Sequence, residues 1–111
     1  MSGSFTAQGP TILVVAAVSA PTGVQALGSV GSPSPQCYRI SNAGLTNVYV
    51  ASGQNAAAAT AAAVIPTTTP QRVYVINSGD SLVVNDMREA FWSAATAQDT
   101  ASVFITPGYM N

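Results

Sequence analysis

The sequence is poor in charged residues. It contains no lysine and no histidine, and its arginines and acids together make up 6% of 111 residues, whereas about 25% is typical of soluble domains. The three arginines, Arg39, Arg72 and Arg88, are spread along the chain. Binding to nucleic-acid phosphates requires clustered positive charge. We therefore expect no nucleic acid partner.

The shortage of charge also bears on the surface of the protein. Two interpretations stay open: a soluble domain coated with Ser, Thr, Asn and Gln, or a chain whose surface is largely covered by neighbours. A free monomer usually carries many charged side chains, and exposed apolar patches usually mark interfaces. We favour the second interpretation, a subunit of an assembly.

Few side chains are suited to catalysis or metal binding. Histidine, the commonest general base, is missing, and the single cysteine, Cys37, excludes a cysteine-ligated zinc site. We expect Cys37 to be a small buried thiol. The acids Asp80, Asp86, Glu89 and Asp99 lie in turn or capping contexts. The sequence therefore predicts a protein that is not an enzyme, with no catalytic, cofactor-binding or metal-binding residues.

An apolar run near the start, "TILVVAAVSA", raises the question of a signal segment or membrane span. No lysine or arginine precedes Arg39, so the positive region of a signal peptide is missing. The run is also too short to cross a bilayer. We expect a retained, buried strand, synthesis in a cytoplasm and no membrane partner.

Alternating short segments dominate the rest of the chain. Residues 1–10 are small and polar and predict a flexible arm, and residues 11–111 a single β domain. Turn residues separate short, evenly spaced strand-like segments, which indicates an all-β, antiparallel sandwich or barrel. These segments are Thr11–Val18, Val24–Leu27, "CYRIS", "TNVYVA", "RVYVIN", "SLVV", "AFWSAAT" and "SVFIT".

Two segments leave helix and non-helix open. "DMREAF", which begins at Asp86, resembles a capping box and predicts at most one short helical turn, with a loose loop as the alternative. "GQNAAAATAAAVIP" favours a helix by propensity, with Asn55 as cap and Pro66 as terminator. It lacks any charged face, however, and lies between two clear strands. We expect an extended connection or strand there, with small side chains that let another subunit approach closely.

Aromatic and alanine residues supply the candidate contact surface. In two alternating strands, Tyr49 and Tyr74 lie on the face opposite to that of the valines. Tyrosine suits an interface because it combines apolar area with a polar tip. Core packing remains the alternative for all aromatic residues. The candidate interface residues are Tyr49, Tyr74, Trp92, Tyr109, Ala59 and Ala62.

The segment from Cys37 to Gly108 resembles the capsid decoration, or cement, proteins of tailed bacteriophages. The resemblance lies in the order of "ISNAG", "TNVYVASG", an Ala/Thr-rich stretch ending in "VIP", "RVYVINSGDSLVV" and "FWSAATAQDTASVFITPG". It implies an antiparallel β-sandwich of jelly-roll type on the capsid exterior, which holds major capsid protein subunits together. It further implies a homodimer or homotrimer in the virion, made in the cytoplasm of a bacterial host.

The sequence thus predicts a structural virion protein that stabilises a phage head by binding the major capsid protein and further copies of itself. The alternative is a tail, neck or head-fibre module that binds a host glycan or receptor. Such a module needs exposed aromatic residues in a groove, and Trp92 and Tyr109 are the candidates.

Overall fold

The computed structural model of the chain describes residues 5–26, 37–66, 73–85 and 90–110. This part of the chain contains nine β-strands and one helix. The strands are β1 (Phe5–Ala7), β2 (Ile12–Ala16), β3 (Val24–Gln25), β4 (Cys37–Asn42), β5 (Val48–Gly53), β6 (Tyr74–Ile76), β7 (Ser81–Val84), β8 (Phe91–Ala95) and β9 (Ala101–Met110), and the helix is α1 (Ala56–Ala62).

The strands form two antiparallel sheets that pack face to face. In sheet A the order is β2, β9, β4, β7, and β1 also pairs with β9 beyond the end of β2. In sheet B the order is β3, β8, β5, β6. Six of the seven connections from β2 to β9 pass from one sheet to the other, and only β5 to β6 stays within a sheet. Eight strands in this order form a jelly roll, so the predicted all-β sandwich is confirmed.

The core lies between the two sheets and follows the alternation of the strands. In β4, Tyr38, Ile40 and Asn42 are buried, whereas Arg39 is exposed. Cys37 is buried as a free thiol, as predicted, and burial raises the pKa of this thiol. The cysteine is therefore held in its protonated, unreactive form.

The alanine-rich segment is a helix, so the predicted extended connection is wrong. α1 begins after Asn55, whose side-chain Oδ1 accepts a hydrogen bond from the backbone N–H of Ala58 at 2.8 Å. The helix has seven residues, about two turns. A helix this short and uncharged is marginal alone, so its stability must come from packing.

That packing depends on two glycines that let α1 lie directly on sheet B. A side chain at Gly53 would meet the backbone of Ala58 and Ala59 at less than 3.0 Å, and one at Gly23 would meet Ala59 and the carbonyl of Ala56. The Thr60 hydroxyl donates to the carbonyl oxygen of Pro21 at 2.9 Å. The alanines therefore serve close contact within the chain, and the helix covers the outer face of sheet B.

The cap of this helix gives a direct test of the assignment. We expect Asn55→Ala to lower the free energy of unfolding by about 1 kcal/mol, because it leaves the Ala58 N–H without its side-chain acceptor. Urea unfolding followed by circular dichroism measures the loss. The matched control is Gln54→Ala at the neighbouring exposed position. Equal effects of the two substitutions would contradict a cap at Asn55.

The N-terminal segment is in part a strand. β1 pairs with the end of β9, with Thr6 opposite Tyr109 and Ala7 opposite Gly108. The folded domain therefore includes residues that the sequence places in an arm.

The helical turn predicted at Asp86 lies outside the described residues. No helix in the described ranges is long and apolar enough to span a membrane.

Candidate interface

No helix among the described residues covers the outer face of sheet A, here called the open face. On β2, Val14 and Ala16 point into the core, while Leu13 and Val15 point outward and are each 48% exposed. Leu13 lies directly opposite Phe104 of β9, which is also exposed. A strand that is apolar on both faces indicates that both faces are meant to be buried.

The open face carries a single described charge. Arg39 is exposed at the middle of β4 and lies between Thr106 of β9 and Val83 of β7. Val83 is exposed as well. Phe104 lies diagonal to Arg39 on the adjacent strand. The face therefore combines apolar side chains with one guanidinium, which is the composition typical of a protein interface.

A second exposed surface lies at one end of the sandwich and is here called the loop end. It is formed by four connections, 17–23, 43–47, 77–80 and 96–100. Leu45 stands at the tip of the second connection and is 98% exposed. Val18 on the first connection is also exposed. Leu45 is the most exposed large apolar side chain among the described residues, so a partner at this end would bury the most apolar surface by covering it.

The loop that carries Leu45 is rigidly built. The buried Asn42 side chain donates from Nδ2 to the carbonyl oxygens of Thr46 and Ile76 at 2.9 and 3.0 Å, and its Oδ1 accepts from the Gly44 N–H at 2.9 Å. The Ser78 hydroxyl donates to the Gly44 carbonyl at 2.7 Å. The backbone on both sides of Leu45 is thus fixed before any partner binds, which lowers the backbone entropy lost on binding.

Carboxylates flank Leu45 at the loop end. Asp99 and Leu45 line one shallow cleft of about 420 Å³ between the 43–47 and 96–100 connections. Asp80 lies in the turn between β6 and β7, where its carbonyl accepts from the Asn42 N–H, and this turn is joined to the 43–47 connection by the hydrogen bond from the Ser78 hydroxyl to the Gly44 carbonyl. The loop end is therefore an apolar point bordered by negative charge.

The structure places two of the six predicted interface residues inside the protein, and a third, Tyr74, is partly buried against the core. Trp92 is 0% exposed and packs edge-on against Tyr38, with ring centroids 5.1 Å apart. Tyr74 points inward and its ring centroid lies 6.5 Å from that of Trp92, while Val75 faces outward. Ala59 is the buried residue of α1 and packs against Gly23 and Gly53. Trp92 and Ala59 are therefore buried residues, and their assignment to an interface is wrong, whereas Tyr74, on the edge strand β6, stays a candidate.

The other predicted residues are partly exposed but do not form one site. Tyr49 is half-buried on the outer face of sheet B, opposite Val75 and Ala95. Tyr109 lies near the end of β9, opposite Thr6 of β1, and Ala62 is half-buried in the last turn of α1. They stay individual candidates. The buried Trp92 offers no ring for a glycan to stack on.

Sequence reasoning did not find the open face or Leu45. The signal for the open face lies in "TILVVAAV". The side chains on both faces of this strand are apolar, so the pattern predicts a buried strand without showing that one face is exposed. The signal for Leu45 was an apolar residue inside the turn "NAGLTN", where polar residues are usual.

No family model matches the chain, and no curated protein or solved structure matches it significantly.

Proposed function

We propose that this protein is a structural virion component that decorates and stabilises a bacteriophage capsid by binding the major capsid protein on the head exterior. The observation that carries the proposal is the open face, a sheet surface that no described helix covers, with exposed Leu13, Val15 and Phe104 and a single described charge. Such a surface favours burial in an assembly over exposure in a free monomer.

The fold supports the same proposal. Jelly rolls are common in viral capsid proteins and in lectins, but a fold alone does not determine function. A lectin-like role draws no support from Trp92, because its indole lies in the core. A decoration protein needs extensive contact area, repeated over many copies, and no reactive site.

The test is the copy number of the chain in purified particles of the phage that encodes it. Quantitative mass spectrometry compares the chain with the major capsid protein and with a tail protein as a low-copy control. We expect about one copy per few capsid subunits, because decoration requires repeated sites on the head. Absence from particles, or a copy number as low as that of the tail protein, would contradict the proposal.

A further inference from the structure

The two exposed surfaces carry opposite charge. The charged side chains among the described residues are Arg39, Asp80 and Asp99. Arg39 lies on the open face, and both aspartates lie at the loop end. The described charges are thus separated, positive from negative, onto two different surfaces, and complementary surfaces of this kind set the orientation of binding partners.

The apolar groups of the two surfaces are complementary as well. Leu45 projects from the 43–47 connection, which shares a cleft with the connection of Asp99 and is hydrogen-bonded to the connection of Asp80. On the open face, Leu13 and Phe104 form an exposed cross-strand pair beside Arg39. Placing Leu45 on that pair would bring the carboxylates of a neighbouring molecule towards the guanidinium.

Contacts between like surfaces are less favourable. Two open faces packed together would place two copies of Arg39 in one buried interface, and two loop ends would bring four carboxylates together. Like charges facing each other in an interface are destabilising. The described charges therefore favour contact between different surfaces of two copies.

We propose that copies of this chain associate head to side, with the loop end of one copy on the open face of the next. Leu45 then contacts Leu13 and Phe104, and Asp80 and Asp99 lie near Arg39. The contact is heterologous, so it closes into a ring or continues as a filament instead of forming a two-fold dimer. The strands run towards the loop end, so the loop end is about perpendicular to the open face. Each copy is therefore rotated by a large angle relative to the copy before it, which favours a small ring. This inference does not depend on a role in the virion.

The first experiment measures the oligomeric state of the purified full chain by sedimentation velocity. We expect a closed oligomer of at least three copies, and we expect Leu45→Ser and Arg39→Glu each to weaken association about tenfold or more. Both side chains are exposed, so thermal unfolding should confirm an intact fold. The matched control is Val64→Ser, an exposed apolar residue after α1, on neither surface, which should leave association unchanged.

Charge reversal provides the decisive comparison. We expect Asp80→Arg to weaken association, and the double variant Arg39→Glu with Asp80→Arg to restore it in part, because the charges at positions 39 and 80 exchange places while Asp99 stays acidic. Asp80 is the better position, since Asp99 has a positive φ of 62° that favours Asp, Asn or Gly. A monomer at high micromolar concentration, a two-fold dimer, or a double variant no better than the single ones would overturn the proposal. A monomer that binds phage particles through Arg39 would assign the open face to another protein and also overturn it, while leaving the proposed function intact.

Discussion

We expect Trp92→Ala to lower the free energy of unfolding by about 4 kcal/mol, because truncation of a buried aromatic residue costs about 3–5 kcal/mol. The Trp92 side chain is 0% exposed and lies between the two sheets. The centroid of its ring lies 5.1 Å from that of Tyr38, in an edge-on arrangement, and 6.5 Å from that of Tyr74. Urea unfolding followed by far-ultraviolet circular dichroism measures the change, since the variant retains no tryptophan.

The neighbouring residue provides the control for this substitution. Phe91 precedes Trp92 in β8, points to the opposite face and is half-buried, so we expect Phe91→Ala to cost about half as much or less. Trp92 is the only tryptophan, and its fluorescence should resist iodide quenching in the native protein. A smaller loss for Trp92→Ala than for Phe91→Ala, or quenching as efficient as in unfolded protein, would show that Trp92 is not in the core.

The strands were predictable from the sequence because their alternation is local. "TNVYVA" places Val48 and Val50 on one face, and both are buried in β5. β4 and β9 follow the same rule. The sequence does not reveal which of two apolar faces is covered, since this depends on elements distant along the chain. Tyr74 and Val75 could each face inward, and only the packing against Trp92 turns the Tyr74 side chain towards the core.

The helix shows the same limit from the other side. The helix propensity of alanine favours α1, whereas the flanking strands favour an extended segment. The local sequence therefore does not decide between helix and extended structure. Gly23 and Gly53 decide it by letting the helix approach sheet B, and the hydrogen bond from the Gly23 N–H to the Thr60 hydroxyl fixes its position at 3.1 Å. Gly23 is 37 residues from Thr60, too far for a pattern in the sequence to reveal the contact.

The second large effect is expected at the base of the loop that carries Leu45. Asn42 is 2% exposed, and its Nδ2 donates to the carbonyl oxygens of Thr46 and Ile76. Asn42→Asp keeps the size of the side chain but places a carboxylate oxygen against both carbonyls. We expect a loss of about 3 kcal/mol in the free energy of unfolding at neutral pH, from two lost hydrogen bonds and an unpartnered buried acceptor.

This loss should depend on pH in a definite direction. Burial disfavours the charged form, so the folded-state pKa of the introduced carboxyl is raised above its unfolded value. The variant is then closest to the wild type below the unfolded pKa, about 4, and its deficit grows as the pH rises through the folded-state pKa. Unfolding of variant and wild type in urea at several pH values measures that difference.

Asn47→Asp is the matched control because it makes the same chemical change in the same loop. Asn47 is exposed, and its Oδ1 accepts from the Ser78 N–H, a bond that a carboxylate keeps. We expect a change below about 0.5 kcal/mol at every pH. Where Asn42→Asp remains folded, its loosened loop should also weaken the association that depends on Leu45. Asn47→Asp should not weaken it, because among the described asparagines of this loop Asn42 is the one that fixes it from the buried side. Equal stability of the two variants would contradict the role assigned to Asn42 in holding Leu45 in place.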